Sequence, residues 1–237
     1  MNGLELIKLF NVFGRINTIF EWISKLAGTN LLWVLFNFPI VYLLLSLYTT
    51  KEMSHIFMLM IMIALLVPFV FFPATTAMFG IVRKWVMKEE VPIIRFFWKY
   101  YKENYRRSLA GGFIFSVLWA IAGVDYYYLH GYNSLVGYAF IFLMVWLFTL
   151  TLYFFAHTVH TETKLGQGLK NVFLLSIANP FFSFGVAIIS IVILYISFTK
   201  ITFLLPIFTG SAISFLAFLA YNKVLTSIVL LQQKASE

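Results

Sequence analysis

The sequence predicts an all-α polytopic membrane protein, a bundle of six transmembrane helices with amphipathic helices at the membrane interface. Hydrophobic residues make up 62% of the chain and charged residues only 11%, whereas soluble domains average about 45–50% and about 25%. The apolar residues are gathered into six long runs, and the Lys and Arg residues fall mainly on alternate connections between these runs. A soluble domain of this composition would expose much of its apolar surface, so the chain is too apolar to be soluble.

Each of the six apolar runs is long enough to cross about 30 Å of hydrocarbon at about 1.5 Å per helical residue. We predict spans at residues 31–49, 56–82, 109–129, 135–157, 181–198 and 201–221. The fifth and sixth spans are joined only by Thr199 and Lys200, which predicts a tight helical hairpin. No polar linker or low-complexity stretch divides the chain, so we expect residues 1–237 to form a single integral membrane domain.

The distribution of cations predicts the orientation of the chain, because translocation leaves Lys and Arg in short cytoplasmic loops. The connection 83–107 alone carries eight of the 17 Lys and Arg residues. All of the others, except Lys51 and Lys200, lie in segments that share its side of the membrane if the six spans alternate. Both termini are therefore predicted to be cytoplasmic, and the protein is expected in the cytoplasmic membrane as a multi-pass protein.

Amphipathic helices are predicted at the interface before three of the spans. Residues 1–29 place apolar and polar side chains on opposite faces of a helix, and a weaker copy of this pattern follows His160. Pro92 can open a basic cytoplasmic helix over 92–108, because its missing N–H costs nothing in the first turn. Small or polar residues follow each helix and predict hinges in a degenerate three-fold repeat of interfacial helix, hinge and span. These hinges are predicted at 28–30, 110–112 and 178–180.

The helix over 92–108 combines a cationic stripe with many aromatic residues. Its Lys and Arg residues recur at helical steps, as expected of a helix on anionic headgroups, while Ile94 and Phe97 are expected to face lipid or neighbouring spans. Trp, Tyr and Arg are also enriched at protein interfaces. Membrane-surface contact and partner contact are therefore alternative predictions for Arg95, Trp98, Lys99, Tyr101, Lys102 and Arg106. The net charge of +8 does not indicate nucleic-acid binding, because no groove-reading motif accompanies it.

The sequence predicts no catalytic residue, cofactor or metal ligand. None of the nine Asp and Glu residues lies in the middle of a span, and the chain contains no Cys. Proton-coupled carriers and intramembrane proteases usually need ionisable groups at that depth. His157 and His160 share a helix face, so a metal pair is conceivable, but we interpret them as polar residues at the interface. We expect a protein that is not an enzyme.

Two weaker patterns have both a substrate interpretation and a structural one. Asp125 and Tyr126 end the third span at the outer surface, where an acid among aromatics can bind a sugar or a cation. Tyrosines are also expected there as part of an aromatic belt. Pro68 and Pro73 lie in one span, and the broken helix that they favour could line a substrate site. Proline kinks more often serve helix packing alone.

Several local motifs together resemble a known family. Residues 72–79 read FPATTAMF, 82–85 read VRKW and 97–104 read FWKYYKEN, while NLLW stands at 30–33 and NP at 179–180. This combination resembles the YesL-like family of bacterial membrane proteins, domain of unknown function 624. The resemblance implies a small multi-span protein, mostly found in Gram-positive bacteria and often encoded beside carbohydrate-uptake ABC transporters. It implies no catalytic residues, because the family has none established.

The physical pattern and the resemblance together favour a non-enzymatic accessory component of carbohydrate uptake by an ABC transporter. The chain lacks the cytoplasmic Glu-Ala-Ala loop with which ABC permeases dock their ATPase, so it is not expected to be the pore-forming subunit. The expected partners are the lipid bilayer, subunits of an ABC-type sugar permease and further copies of this chain. The alternative is a self-sufficient channel or uniporter for small neutral solutes.

Overall fold

The computed structural model describes the backbone of residues 3–129 and 134–236, and the side chains of residues 14–129 and 135–234. The described residues form α-helices joined by short connections, which confirms the all-α class. In chain order the helices are α1 (Gly3–Phe36), α2 (Phe38–Thr49), α3 (Met53–Leu66), α4 (Phe72–Val86), α5 (Ile93–Leu129), α6 (Ser134–His160), α7 (Leu165–Ala178), α8 (Pro180–Thr199) and α9 (Gly210–Ser236). Two π-helical turns, Val67–Phe71 and Leu205–Thr209, lead into α4 and α9.

Among the described residues, five helical stretches are long and apolar enough to cross a membrane. They are Met53–Val86, Ile93–Leu129, Leu135–His160, Pro180–Thr199 and Leu205–Lys234. A sixth candidate consists of Gly14–Phe36 with Phe38–Thr49, two helices that pass only as a pair and are bent by 76° at their junction. The chain is therefore a multi-pass membrane protein with five or six spans, and the count of six stays a prediction.

The first span differs from its predicted form. The predicted hinge at 28–30 is wrong, because α1 runs through it without interruption. Asn30 is fully buried and bonded to another helix, so its side chain does not compete for the backbone of α1. The chain breaks instead at Asn37. Pro39, two residues later, lacks the N–H that would continue α1, and its ring disfavours a continuous helix.

The predicted hinge at 110–112 is also wrong. The basic segment and the third predicted span form one continuous helix, α5, so 92–108 is not a separate interfacial helix. Gly111 and Gly112 instead allow close helix packing, as small residues in membrane interfaces often do. A Cβ on Gly112 would stand 2.9 Å from the Cα of Pro68. The third predicted break is confirmed, since α7 ends at Ala178 and α8 begins at Pro180.

The interior of the bundle is an aromatic cluster around α4. Phe72 and Phe79 of α4 contact the ring of Phe155 on α6, with centroid distances of 5.0 and 5.5 Å. Phe115 of α5 lies 5.2 Å from Phe154. Nearly all of α4 is buried, whereas α3 buries no residue. The centre of the molecule is thus the α4–α5–α6 contact, and α3 lies at the periphery.

Hydrogen bonds between side chains tie neighbouring helices together. Ser108 of α5 donates to Thr76 of α4 over 2.8 Å, and three tryptophan indoles donate to hydroxyls of adjacent helices. These indole bonds join Trp33 to Thr75 over 3.0 Å, Trp119 to Thr151 over 3.2 Å and Trp146 to Ser176 over 3.0 Å. Such bonds are a common means of helix association in lipid, where the burial of apolar surface contributes little to the association of helices.

Candidate functional site

The basic end of α5 extends beyond what a membrane span requires. The helix has 37 residues, which at about 1.5 Å per residue is about 55 Å, against about 30 Å of hydrocarbon. The excess lies at the end that carries the predicted contact residues. On the predicted orientation, this extension lies on the cytoplasmic side.

The four cations of the predicted stripe all lie on the exposed surface of this extension. They are Arg95, Lys99, Lys102 and Arg106. Lys99 lies 3.8 Å from a carboxylate oxygen of Glu103, and its ammonium lies 5.6 Å from the centre of the Phe96 ring. The stripe is therefore available to headgroups or to an acidic partner surface, and one carboxylate moderates its charge.

Trp98 and Tyr101 form a stacked pair beside the cations. Their ring centres are 5.8 Å apart with an interplanar angle of 5°, and the Lys102 ammonium lies 4.6 Å above the Trp98 ring. Phe36, the last residue of α1, contacts both rings at 5.7 and 5.0 Å. Trp98 remains 48% exposed. This arrangement holds an aromatic surface and a cation in place for contact with another molecule.

The other face of the basic segment is divided between the core and the surface. Phe97 is fully buried and Tyr100 nearly so, with the Tyr100 ring lying against Gly80 of α4. Ile94 is 74% exposed. The segment therefore packs against α4 through part of its apolar face. Because it continues directly into a span, it does not lie flat in the interface plane as predicted.

The weaker substrate candidates are not brought together. Pro68 is buried in the first π-helical turn and Pro73 in the first turn of α4, both inside the aromatic core. Asp125 and Tyr126 are half-buried near the far end of α5. Since Pro68 packs against Gly112, Asp125 stands about 20 Å further along α5 at about 1.5 Å per residue. The described residues form no joint site from these four positions.

A buried polar cluster closes the end of α6, and only its histidine was singled out from the sequence. The Arg107 guanidinium donates to the backbone oxygens of Thr161 (2.8 Å) and Thr163 (3.1 Å), and also to that of Thr158. Carbonyls at a helix C-terminus lack partners within the helix and favour a cation. Arg107, counted in the sequence only as a topology signal, therefore caps α6.

His157 belongs to this cluster as a hydrogen-bonding residue. Its Nδ1 lies 2.9 Å from the hydroxyl of Tyr221 and its Nε2 lies 2.9 Å from Thr161 Oγ1. Both ring nitrogens are thus engaged by hydroxyls. Across residues 14–129 and 135–234, no three of the His, Asp and Glu side chains are placed to hold a metal ion.

Asn30 is a second residue that sequence analysis missed. Its side chain is fully buried, donates to the Leu205 carbonyl over 3.0 Å and accepts from the Ser211 N–H over 2.9 Å. These two groups flank the second π-helical turn, where Pro206 interrupts the helix. One amide thus satisfies a donor and an acceptor of the interrupted backbone. In the sequence, the available signal for this role was a single amide side chain at the edge of an apolar run.

These features define a class of protein: a multi-pass α-helical membrane protein with a cationic and aromatic helical extension. Residues 26–126 match the model of the family described as "Protein of unknown function, DUF624". The chain is also 32% identical over 113 residues to "Uncharacterized protein YteU" of Bacillus subtilis (strain 168). That alignment covers 47% of this chain and only 40% of the relative. No solved structure matches the chain significantly. The matches confirm the resemblance to the YesL-like DUF624 family over residues 26–126.

Proposed function

We propose that this protein is a non-enzymatic accessory component of the cytoplasmic membrane that associates with carbohydrate uptake by an ABC transporter. The observation that carries the proposal is the stacked Trp98–Tyr101 pair with Lys102, held half-exposed on the extension of α5. The carbohydrate context comes from the gene neighbourhood that the family resemblance implies.

The contact surface has the composition of a protein interface. Aromatic rings and Arg are enriched at interface hot spots, where rigid side chains lose little conformational entropy on binding. Trp98 and Tyr101 are already ordered by Phe36, so a partner would meet a preformed surface. The exposed cations beside them favour an acidic face on that partner, which steers association and sets its orientation. We therefore propose a sugar permease subunit as the partner.

Site-specific cross-linking tests this proposal in the native host. A photoreactive residue at position 98 is expected to yield an adduct with a permease subunit, with the yield reduced when Lys102 and Arg106 are changed to Glu. The matched control is the same residue at Val117, which is 56% exposed on α5 but away from the basic extension. Deletion of the protein is expected to lower sugar uptake. Adducts only to lipid or to a second copy, with uptake unchanged, would exclude the accessory role.

A self-sufficient channel or uniporter is the second candidate, and one feature favours it. Two helical stretches contain π-helical turns at Pro68 and Pro206, and such turns are frequent at functional sites. The discriminating measurement is flux of small neutral solutes into vesicles that contain only this protein. Solute flux that is lost when Pro68 and Pro206 are changed to Ala would support the channel. Vesicles that remain impermeable would contradict the channel and favour the accessory role.

A further inference from the structure

Arg83, at the end of α4, is a cation without a partner among the described residues. The residue is half-buried, and its Nε atom is fully buried without a hydrogen bond. Within the described part of the chain, no hydrogen bond or ion pair reaches its guanidinium. The adjacent Lys84, in contrast, forms an ion pair with Glu89. Arg83 is therefore the one of two neighbouring cations that lacks a carboxylate.

His160 presents a second unsatisfied nitrogen at the same end of the bundle. Its Nδ1 is buried without a partner, and its ring lies 5.9 Å from that of Phe218 and 5.8 Å from that of Tyr221. The Phe79–Phe155 contact, at 5.5 Å, joins α4 and α6 about one helical turn earlier. Arg83 follows Phe79 by four residues and His160 follows Phe155 by five, so both lie at the same end of the α4–α6 contact.

Two unsatisfied nitrogens of basic side chains in one place imply an anionic partner. A guanidinium has five N–H donors and no acceptor, and an imidazole Nδ1 can carry a proton and donate. Leaving the buried Arg83 Nε and His160 Nδ1 atoms without hydrogen-bond partners is costly, and an anion that accepts several hydrogen bonds removes that cost. No carboxylate of the described residues is placed to do this.

We propose that Arg83 and His160 form a binding site for a phosphate group, with the guanidinium fork and the imidazole as donors. A tetrahedral phosphate offers several acceptor oxygens, so it can accept from both side chains at once, and arginine matches its geometry in a bidentate manner. The group can be the phosphodiester of an anionic lipid or free inorganic phosphate. The site lies among α4, α6 and α9 and does not use the exposed face of α5.

Binding of two probes to the purified, delipidated full-length protein distinguishes these sources. The probes are short-chain phosphatidylglycerol and inorganic phosphate, with phosphatidylcholine as the zwitterionic reference, and the readouts are the thermal unfolding midpoint and mass spectrometry of the intact complex. Stabilisation by phosphatidylglycerol beyond phosphatidylcholine assigns a lipid, and stabilisation by inorganic phosphate alone assigns the free ion. The probe that stabilises the unmodified protein is expected to bind the Arg83→Met variant about tenfold or more weakly than it binds the unmodified protein. The reason is that a charge-assisted hydrogen bond is lost.

The control variant is Arg95→Met, which removes the same charge from an exposed position of α5 and is expected to bind like the unmodified protein. Without either probe, Arg83→Met is expected to unfold at the same temperature or higher, since it removes an unpaired charge. If Arg83→Met does not fold, Arg83→Lys serves instead, with binding weakened because the fork is lost. Equal binding by the Arg83 and Arg95 variants, or no binding of either probe above the reference, would overturn the site.

Discussion

Single glycines decide how closely the central helices approach. The ring of Phe154 on α6 lies over Gly111, and the ring of Tyr100 on α5 lies over Gly80, where a Cβ would overlap the aromatic atoms. Phe154 is itself 2% exposed and packed against Phe115, so it has little room to move. Gly123, further along α5, has no neighbour within 4 Å of its Cβ position.

Gly111→Ala is expected to lower the free energy of unfolding by about 1–3 kcal/mol, the usual cost of overpacking a core. The matched variant Gly123→Ala is expected to raise it by up to about 1 kcal/mol, because alanine is the better helix former and meets open space. Unfolding in mixed detergent micelles, followed by circular dichroism, measures both. Equal effects of the two substitutions would contradict the close α5–α6 contact.

Asn30→Ala is expected to destabilise the protein by about 1–3 kcal/mol, because the Leu205 carbonyl and the Ser211 N–H lose their partner in a buried site. The control is Asn171→Ala, which removes an amide that accepts from Gln167 on an exposed surface and should change stability little. The same unfolding measurement applies. Amide exchange at Ser211 that stays as slow in Asn30→Ala as in the unmodified protein would show that this bond is not important.

At the level of whole elements, α5 is the structural axis of the molecule. It packs against α4 along Tyr100, Ser108 and Gly112 and against α6 through Gly111 and Phe115. These contacts lie on both sides of the glycine pair. A hinge at 110–112 would separate rings that are already in contact, so the packing keeps the helix continuous.

Spin labels at Lys99 and Val117 are expected to be about 27 Å apart between their Cα positions, the length of an unbroken helix at about 1.5 Å per residue. Both positions are exposed, and the chain has no native cysteine, so the labels are site-specific. Pulsed electron spin resonance gives the distance distribution. A broad distance distribution centred well below this value would contradict the continuous helix and support the predicted hinge at 110–112.

For the whole molecule, the strongest expectation concerns its orientation. Cysteines introduced at Lys164 and Lys234 are expected to resist a membrane-impermeant maleimide in intact cells and to react after permeabilisation. A cysteine at Ser54 is expected to react in intact cells, because the basic connections are predicted to be cytoplasmic. All three positions are exposed. The opposite labelling pattern would invert the topology and place the α5 extension outside the cell.

The candidate surface on α5 was predictable in outline, and its organisation was not. Helical spacing alone placed the four cations of the stripe on one face, and they are all exposed. The stacking of Trp98 on Tyr101 and their contact with Phe36 depend on how α1 crosses α5. Spacing within one helix contains no information about that crossing, so the ordered aromatic surface could not be derived from it.

The sequence by itself determined the class and most spans, because hydrophobic runs and charge placement respond to the bilayer and not to neighbouring helices. The break at 178–180 was predictable, but only the tertiary structure decided that α1 and α5 continue through the other two predicted hinges. Glycines at 111 and 112 serve as packing sites, and the break of the first span lies at Asn37. Polar residues such as Asn30 and Arg107 acquire their roles from backbone groups that are distant in sequence. Those partners exist only once the bundle has formed, and no local pattern encodes them.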